Sequence, residues 1–405
     1  MAENAFFPAD ILIPASADMT KWSVVACDQF SSDRDYWERV KRFVGDAPST
    51  LKLIVPEAYL SDGDTEERAA GIAREMDSYL DSGVFRTLRS SYVYVERTVE
   101  SGEVRRGVVG VLDLEKYDYA PGSRTAIRAS EGTIVSRLPA RIKVRRGAKL
   151  ELPHIMALIN DRDCTVIEPL ERADLPLLYD FDLMEGGGHI CGYQVTGEAA
   201  AEVTAALAAL AASSDVQVIM GDGNHSLAAA KGYWDEIKGN IPADERETHP
   251  ARFALVELNN VYDPAIAFEA IHRAVFGVDA DTFAAAFELS LASAGGAWPV
   301  RCRTAEKDVA ITVDADTIGG LIGKVQDFID DYLAKNGGEV DYIHGEAEVL
   351  ALGRREGAAG IVLPAMGKGD FFATVESGGA FPRKSFSIGH AREKRYYLEC
   401  RKITK

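Results

Sequence analysis

The sequence lacks any close pair of cysteines. Its five cysteines are scattered along 405 residues, at Cys27, Cys164, Cys191, Cys302 and Cys400. This spacing excludes a local Cys-x-x-Cys zinc or redox motif. Isolated thiols are typical of proteins in a reducing compartment, and we expect most of them to be buried.

A long hydrophobic run is also missing. The most apolar long window, residues 199–212, is rich in alanine, contains Glu202 and is too short to cross a bilayer. The first residues show no basic region followed by an apolar stretch, which a secretory signal requires. We therefore predict a cytoplasmic protein without a membrane segment.

Positive charge is scarce. Lysine and arginine total 45 against 63 aspartates and glutamates, so the formal net charge is -18. A surface of this charge repels polyphosphate backbones and anionic membranes, which argues against nucleic-acid and membrane partners. The expected partner is a small-molecule substrate, and the sequence leaves open whether the chain forms a homodimer.

The charge balance reverses only in segment 124–149. This segment holds six arginines and two lysines, and Glu131 is its only acid. It is either an anion-binding site or a solvated basic face that pairs with acids elsewhere. Arg128, Arg137 and Arg141, with Glu131, are the stronger site candidates because they flank small residues at 132 and 133, which let a ligand approach the backbone.

Length and composition indicate two or three domains with buried cores, since 47% of the residues are hydrophobic. Apolar runs alternate with helix-like stretches, which predicts an α/β fold with mixed sheets. We expect an N-terminal α/β domain over 1–120, a central phosphate- and nucleotide-binding region over 121–280, and a C-terminal α/β region over 281–405 that completes the site.

Hydrophobic periodicity predicts individual elements along the chain. A β-hairpin is expected from 92–99 and 104–114, and further strands at 216–220, 253–258, 360–363 and 395–400. Helices are expected at 33–44, 65–80, 198–212, 227–237, 264–275, 321–333 and 346–352.

The loop from Gly221 to His225 is the strongest candidate for chemistry, because it joins a predicted buried strand to a predicted helix. Backbone N–H groups at such a turn can bind phosphate, and Gly221 and Gly223 give a ligand room to approach. Asp222 can hold a magnesium ion bound to that phosphate, while Asn224, His225 and Ser226 can contact phosphoryl oxygens. The loop has neither the Gly-Lys-Ser/Thr of a P-loop nor the glycine spacing of a Rossmann fold.

A simpler interpretation of this loop stays open. Asp222 or Asn224 can cap the following helix, and the glycines can serve the turn alone. Isolated histidines elsewhere, such as His154 and His189, indicate nothing by themselves.

Two further groups of residues are candidates for phosphate binding. Arg383, Lys384 and Ser385 follow a glycine pair, where they either clamp a terminal phosphate or form a solvated turn. His272 and Arg273 fall on the predicted helix 264–275, where they belong either to the site or to a salt-bridged helix face.

These segments together resemble the bacterial and archaeal family known as domain of unknown function 1015, over nearly the whole chain. The resemblance rests on the block of Arg128, Glu131, Thr133 and Arg137, on MGDGNHSLAAA around Asp222, on IHR at 271–273 and on FPRKSFSIG at 381–389. In much of that family the turn reads Asp-Gly-His-His-Arg, which is similar to the loop of ParB and sulfiredoxin-like proteins that bind nucleotide phosphates. Free serine kinases occur among the latter.

The resemblance implies a central ParB/sulfiredoxin-like nucleotide-binding region that transfers a phosphoryl group to a small hydroxyl compound. The family's association with serine biosynthesis makes free L-serine the leading acceptor. This chain departs from the pattern, since Asn224 replaces the usual first histidine and Ser226 the usual arginine. Phosphate contacts must then come from elsewhere, such as Arg383, Lys384 or the basic segment, or the activity is altered.

Our hypothesis is therefore a magnesium-dependent kinase that uses ATP, or ADP, to phosphorylate serine. Asp222 holds the metal, the loop binds phosphates, and His225 with Arg383 and Lys384 stabilises the transferring group. Glu131 is the candidate base or second metal ligand, although its cationic neighbours make it a weaker base. A nucleotide-binding sensor without catalysis and a phosphatase-type hydrolase are the alternatives.

Overall fold

A computed structural model describes residues 4–405 of the chain. The strands are β1 Phe6–Phe7, β2 Ala9–Pro14, β3 Val24–Val25, β4 Phe85–Thr98, β5 Val104–Asp113, β6 Ile127–Arg128, β7 Leu150–Glu151, β8 Met156–Ile159, β9 Leu177–Asp182, β10 His189–Val195, β11 Val218–Asp222, β12 Phe253–Asn260, β13 Phe268–Phe276, β14 Trp298–Arg303, β15 Asp308–Val313, β16 Glu339–His344, β17 Ala358–Val362, β18 Phe386–Ile388, β19 Tyr396–Tyr397 and β20 Arg401–Lys402.

The helices alternate with these strands, as expected for an α/β protein. They are α1 Met19–Trp22, α2 Arg34–Val44, α3 Thr65–Asp81, α4 Leu138–Gly147, α5 Gly197–Ala211, α6 Asn224–Ile237, α7 Ala243–Arg246, α8 Ala280–Leu291, α9 Ile318–Asn336, α10 Glu346–Gly353 and α11 Lys368–Gly378. Within residues 4–405, no helix is long and apolar enough to cross a membrane.

The chain divides into two compact units. The larger unit contains the residues up to Ala129, Thr133–Ile266 and Gly389–Lys405, and the smaller unit contains Ser130–Gly132 and Ala267–Ile388. The expected limits at 120/121 and 280/281 fall inside these units, and the three-region division stays a prediction.

The larger unit is built on a mixed sheet with the strand order β6-β11-β8-β12-β5-β4-β10-β9, with β1 beside β5 and β2 beside β4. The pairs β11–β6 and β12–β8 are parallel, and the other pairs along this order are antiparallel. The inner strands are buried on both faces, with Ile219 and Met220 of β11 fully buried. This core places the end of β11 next to the start of α6.

The smaller unit has its own sheet, in the order β15-β14-β17-β13-β16, with β18 also beside β13. Its helices include α9, whose buried face contains Leu321, Val325 and Ile329 at helical spacing. A cluster of phenylalanines, among them Phe268, Phe371 and Phe381, packs within this unit. The fold of each unit is therefore an α/β arrangement with a mixed or antiparallel sheet.

Several local predictions are confirmed. The hairpin forms from β4 and β5, and the passage α5, β11, glycine turn, α6 lies where periodicity placed it. Helices α2, α3, α9 and α10 also agree with the predicted helices to within a few residues.

The helix predicted at 264–275 is wrong, because most of these residues belong to strand β13, which covers Phe268–Phe276. The strand pairs with β16, β17 and β18 and is buried on both faces. The buried residues Ile271, Ala274 and Val275 have the spacing of one face of a helix. In the structure they are buried because both faces of the strand are covered.

Candidate functional site

The loop at the end of β11 is a tight turn from a strand into a helix. Strand β11 ends at Asp222, Gly223 follows in the left-handed region with φ 81°, and α6 begins at Asn224. A Cβ atom at Gly223 would lie 3.0 Å from the Cα of Ile155, so glycine is required both for its φ and for space. The N-terminus of a helix of 14 residues is thereby brought to the end of the strand.

The interpretation of Asp222 as a helix cap is wrong. Its Oδ1 accepts a hydrogen bond from the adjacent Gly223 N–H at 2.8 Å and does not cap α6, whose N-cap residue is Gly223 itself. Asn224 is the first residue inside the helix. No acidic residue lies in the first turn of α6, so the positive end of the helix dipole faces the loop without a carboxylate from that turn.

The second oxygen of Asp222 contacts a lysine from the end of the chain. Lys394 Nζ lies 3.2 Å from Asp222 Oδ2, and both side chains are largely buried. The buried guanidinium of Arg97 holds this segment in place by donating to the carbonyl oxygens of Lys394, Arg392 and Gly187. Lys394 is therefore a fixed component of the loop's surroundings.

A second carboxylate, Asp28, belongs to the same neighbourhood. Its Oδ2 lies 3.7 Å from Nε2 of His154, whose same nitrogen lies 3.4 Å from the Ser226 hydroxyl in α6. Burial alone would raise the pKa of Asp28, but His154, Gln29 and Lys394 outweigh this effect and hold that pKa below its usual value. Asp28 is consequently ionised at neutral pH.

The orientation of His154 is set by Tyr397. The Tyr397 hydroxyl lies 2.8 Å from His154 Nδ1, and it also accepts from the Cys27 N–H at 3.2 Å. Burial raises the pKa of the Cys27 thiol to about 11, so this cysteine is a neutral thiol and a poor nucleophile. The group therefore positions His154 rather than supplying a reactive sulfur.

His225, in the first turn of α6, is neutral in this environment. Burial lowers its pKa, and the positive charges of Arg141 and Arg137 lower it further. Nε2 accepts a hydrogen bond from the Ile134 N–H at 3.2 Å, so the ring proton lies on Nδ1. This tautomer suits donation to a phosphoryl oxygen, while its lowered pKa makes His225 a weak base.

Most basic side chains of segment 124–149 are paired with acids, as expected for a basic face rather than for an anion-binding site. Arg141 pairs with Glu57, Lys143 with Glu66, Arg145 with Glu151, Arg146 with Glu236 and Lys149 with Asp77. Arg137 differs, since it is exposed and acts electrostatically on His225. Arg128 is buried on β6, where its neighbour Ile127 pairs with Val218 of β11.

The helix α4 that carries the basic segment packs directly on α6. Leu138 and Ile142 contact Ala228 and Ala229, and a Cβ atom at Gly232 would meet Ile142 at 2.7 Å. This close packing explains why Arg137 and Arg141 lie near His225.

A cavity of about 200 Å³ lies beside the first turns of α6 in the larger unit. Its wall is mainly apolar, and Ser226 and His154 reach it from the loop side. The ion pairs Glu57–Arg141 and Glu151–Arg145 also line it, and Arg141 acts electrostatically on His225 of the loop. A small ligand with both charges can be accommodated there.

The remaining predicted residues lie in the smaller unit. Glu131 and Phe381 form an isolated parallel β-bridge. The N–H of Phe381 donates to the carbonyl oxygen of Ser130 at 2.7 Å. Arg383 is exposed, and its Nη2 lies 3.6 Å from Asp330 Oδ1. The Ser385 hydroxyl donates to the Pro382 carbonyl, as in a turn, and Lys384 has the unusual φ of 57°.

His272 and Arg273 lie on strand β13, so the alternative of a salt-bridged helix face is wrong. Both are buried. His272 Nδ1 accepts from the Leu363 N–H at 3.2 Å, while Arg273 donates to Gln326 and stacks on the Tyr342 ring. Burial lowers the pKa of Arg273 to about 10.

Sequence reasoning missed three residues beside the loop. Asp28, His154 and Lys394 come from segments far apart in the chain, and none belongs to a recognisable pattern. His154 is an isolated histidine, and Lys394 is one lysine of a charged terminal stretch. Long-range strand pairing, of β3 with β19 and of β7 with β20, brings these segments together.

The solved structures that resemble this chain are distant ones. The chain is similar to SbnI with a C-terminal truncation from Staphylococcus aureus, with 10% identity, a TM-score of 0.37 and coverage of 69% of this chain and 82% of that chain. A free serine kinase in complex with AMP has 12% identity and a TM-score of 0.40, and the match covers 76% of this chain and 95% of that chain. A conserved hypothetical protein from Pyrococcus furiosus has 12% identity and a TM-score of 0.34, and the match covers 71% of this chain and 90% of that chain.

A search of curated protein sequences found no match. A family model does match, over residues 10–347, which is most of the chain. The motifs at Arg128, Asp222 and Arg273 all fall inside this range. The chain belongs to the family described as protein of unknown function DUF1015.

Proposed function

We propose that the chain is a magnesium-dependent phosphotransferase that moves the terminal phosphate of ATP, or of ADP, to a small hydroxyl compound, with free L-serine as the leading acceptor. The observation that carries this proposal is the turn at Gly223. It brings a helix N-terminus, the carboxylate of Asp222 and the cation of Lys394 together. The low TM-scores of the solved structures leave the argument to this geometry.

The donor side of the reaction is assigned to the loop. Backbone N–H groups at the start of α6 bind phosphate, helped by the helix dipole. Lys394 neutralises negative charge on the transferring group, and the Nδ1–H of the neutral His225 donates a hydrogen bond to it. Stabilising this charge is the main requirement of phosphoryl transfer. Arg137, exposed near His225, adds a further positive charge.

The residues fit a magnesium ion. Carboxylate oxygens are its preferred protein ligands, and Mg²⁺ commonly binds through one or two carboxylates together with substrate phosphates. Asp222 would hold it, and Asp28 is the second ionised carboxylate near Lys394. When bound, the ion supplies charge neutralisation to the phosphate oxygens.

The acceptor side is assigned to the cavity beside α6. A free amino acid carries a carboxylate and an ammonium, and the Arg141–Glu57 pair offers a cation and an acid to match them. His154, with Asp28 at 3.7 Å and Ser226 at 3.4 Å, is the base candidate within the larger unit. Glu131, in the smaller unit, stays the candidate proposed from sequence.

The proposal is tested by incubating purified protein with magnesium, ATP or ADP, and L-serine. We expect O-phosphoserine and the dephosphorylated nucleotide in equal amounts, formed much faster than phosphate is released without serine. Phosphate release that is indifferent to serine would identify a hydrolase. Nucleotide binding with no product across a panel of hydroxyl amino acids and small alcohols would identify a sensor.

The role of the smaller unit is tested in the same assay. Arg383→Ala and Lys384→Ala are each expected to weaken nucleotide use by roughly tenfold or more, as for a lost charge-assisted contact to phosphate. Unchanged kinetics would assign both residues to a solvated turn. The proposed contributions of Glu131, His272, Arg273 and Ser385 depend on that outcome.

A further inference from the structure

A cluster of possible metal ligands lies on the sheet of the larger unit, separate from the residues used above. Antiparallel register places Cys191 opposite Asp180 on one side and opposite Glu96 on the other, while His189 faces Asp182. Because side chains two residues apart on a strand share a face, these five residues lie on one face of β9, β10 and β4.

The distance between the histidine nitrogen and the cysteine sulfur suits a tetrahedral metal site. His189 Nε2 lies 2.8 Å from Asp180 Oδ1 and 3.5 Å from Cys191 Sγ. The ligand atoms of these three residues all lie within 4.8 Å of one another. A zinc ion with bonds of about 2.0 Å to nitrogen and about 2.3 Å to sulfur, at a tetrahedral angle, holds the nitrogen and the sulfur about 3.5 Å apart.

The other ring nitrogen of His189 has the partner that a metal-bound histidine requires. Its Nδ1 lies 2.7 Å from Asp182 Oδ1. An Nδ1–H donated to a carboxylate fixes the tautomer and leaves the Nε2 lone pair for a metal, as in carboxylate–histidine–zinc arrangements. Asp182 is 87% exposed, so it can be substituted without disturbing the packing of the core.

We propose that Asp180, His189 and Cys191 bind one zinc ion, with the fourth position taken by water or by the Glu96 carboxylate. Thiolate and imidazole ligands favour zinc over magnesium or calcium, which prefer oxygen ligands. The ion would join β9, the edge strand of the sheet, to β10. This site does not depend on the proposed kinase activity.

The test uses the full chain, stripped of metal with a chelator and titrated with Co²⁺, which replaces zinc and is visible by absorption. We expect thiolate-to-cobalt charge-transfer bands that saturate at one ion per chain and disappear when Zn²⁺ is added. Cys191→Ser should abolish these bands. Cys164→Ser is the matched control, because Cys164 is an exposed cysteine whose charged neighbours are the acids Glu168, Asp161 and Asp163, and it should keep the bands.

Asp182→Asn provides a second test that does not remove a ligand. This exposed substitution should leave the fold intact and weaken zinc binding by about ten- to a hundredfold, as for an outer partner of a metal-bound histidine. The proposal is overturned if the wild-type chain shows no charge-transfer bands, or if the bands survive Cys191→Ser. Equal zinc affinity in the wild type and Asp182→Asn would contradict the assigned role of Asp182.

Discussion

Lys394 Nζ lies 3.2 Å from Asp222 Oδ2, so the acid of the glycine loop is paired with a lysine from the end of the chain. The pair is largely buried, and Arg97 and Arg105 fix the backbone of this segment through its carbonyl oxygens. This contact keeps a cation beside the loop that we propose to bind phosphate.

The first prediction concerns this pair. Asp222→Asn should lower turnover by about a hundredfold or more, because the variant loses its proposed metal ligand, while the fold is retained. Lys394→Gln should also lower turnover strongly, because a cation that stabilises the transferring phosphate is lost. Steady-state kinetics with circular dichroism as the check on folding measures both effects. Near wild-type turnover in Asp222→Asn would remove Asp222 from the site.

The second prediction concerns acceptor binding. Glu57→Gln should raise the KM for serine by roughly tenfold or more, since a charge-assisted contact is worth about 1.5–3 kcal/mol, while nucleotide binding stays the same. Glu66→Gln is the matched control, because Glu66 pairs with Lys143 of the same helix α4 but is exposed. Equal KM values for the two variants would mean that the cavity does not hold the acceptor.

Local sequence signals predicted the loop correctly, because a buried strand, a glycine turn and a helix N-terminus are all encoded within a few residues. They could not predict Asp28 or Lys394, since these residues reach the loop only through pairing of distant segments. The basic segment illustrates the same limit. Its composition indicated either an anion-binding site or a basic face paired with acids. In the structure Arg141 pairs with Glu57 in the cavity wall, whereas Lys143 pairs with Glu66 at the surface, and the sequence does not show this difference.

The prediction of a helix in place of strand β13 failed for a different reason. A strand that is buried on both faces has no alternation of polar and apolar residues, so its apolar pattern resembles that of a helix. His189 and Cys191 were missed because their partners, Asp180 and Asp182, lie on the neighbouring strand. Cross-strand clusters leave no spacing motif in a single sequence.

The third prediction concerns the turn itself. Gly223→Ala forces a side chain into φ 81° and places its Cβ 3.0 Å from the Ile155 Cα. Gly63→Ala is the matched control, because Gly63 has φ 82° with no atom near the added Cβ. We expect the control to lose about 1–2 kcal/mol of unfolding free energy from backbone strain, and Gly223→Ala to lose about 1–3 kcal/mol more from the contact. Urea denaturation measures the difference, and equal losses would show that Ile155 moves aside freely.

The fourth prediction concerns pH and starts from the lowered pKa of His225. Burial and the charges of Arg141 and Arg137 hold this pKa below its ordinary value of 6.5 in the folded chain. In the unfolded chain the same histidine binds its proton near 6.5. As the pH falls below 6.5, the unfolded state therefore binds more protons than the folded state, and stability is lost until the pH reaches the folded pKa.

His225→Gln removes this contribution but keeps a side chain that can accept from the Ile134 N–H. We expect the free energy of unfolding of the wild type to fall more than that of His225→Gln between about pH 7.5 and about pH 5, where histidines titrate. His249 and His272, whose pKa values burial also lowers, contribute equally to both proteins and cancel in the comparison. Urea denaturation at several pH values measures the two slopes. Parallel slopes would show that His225 gains its proton as readily in the folded chain as in the unfolded one, and that the two arginines do not act on it.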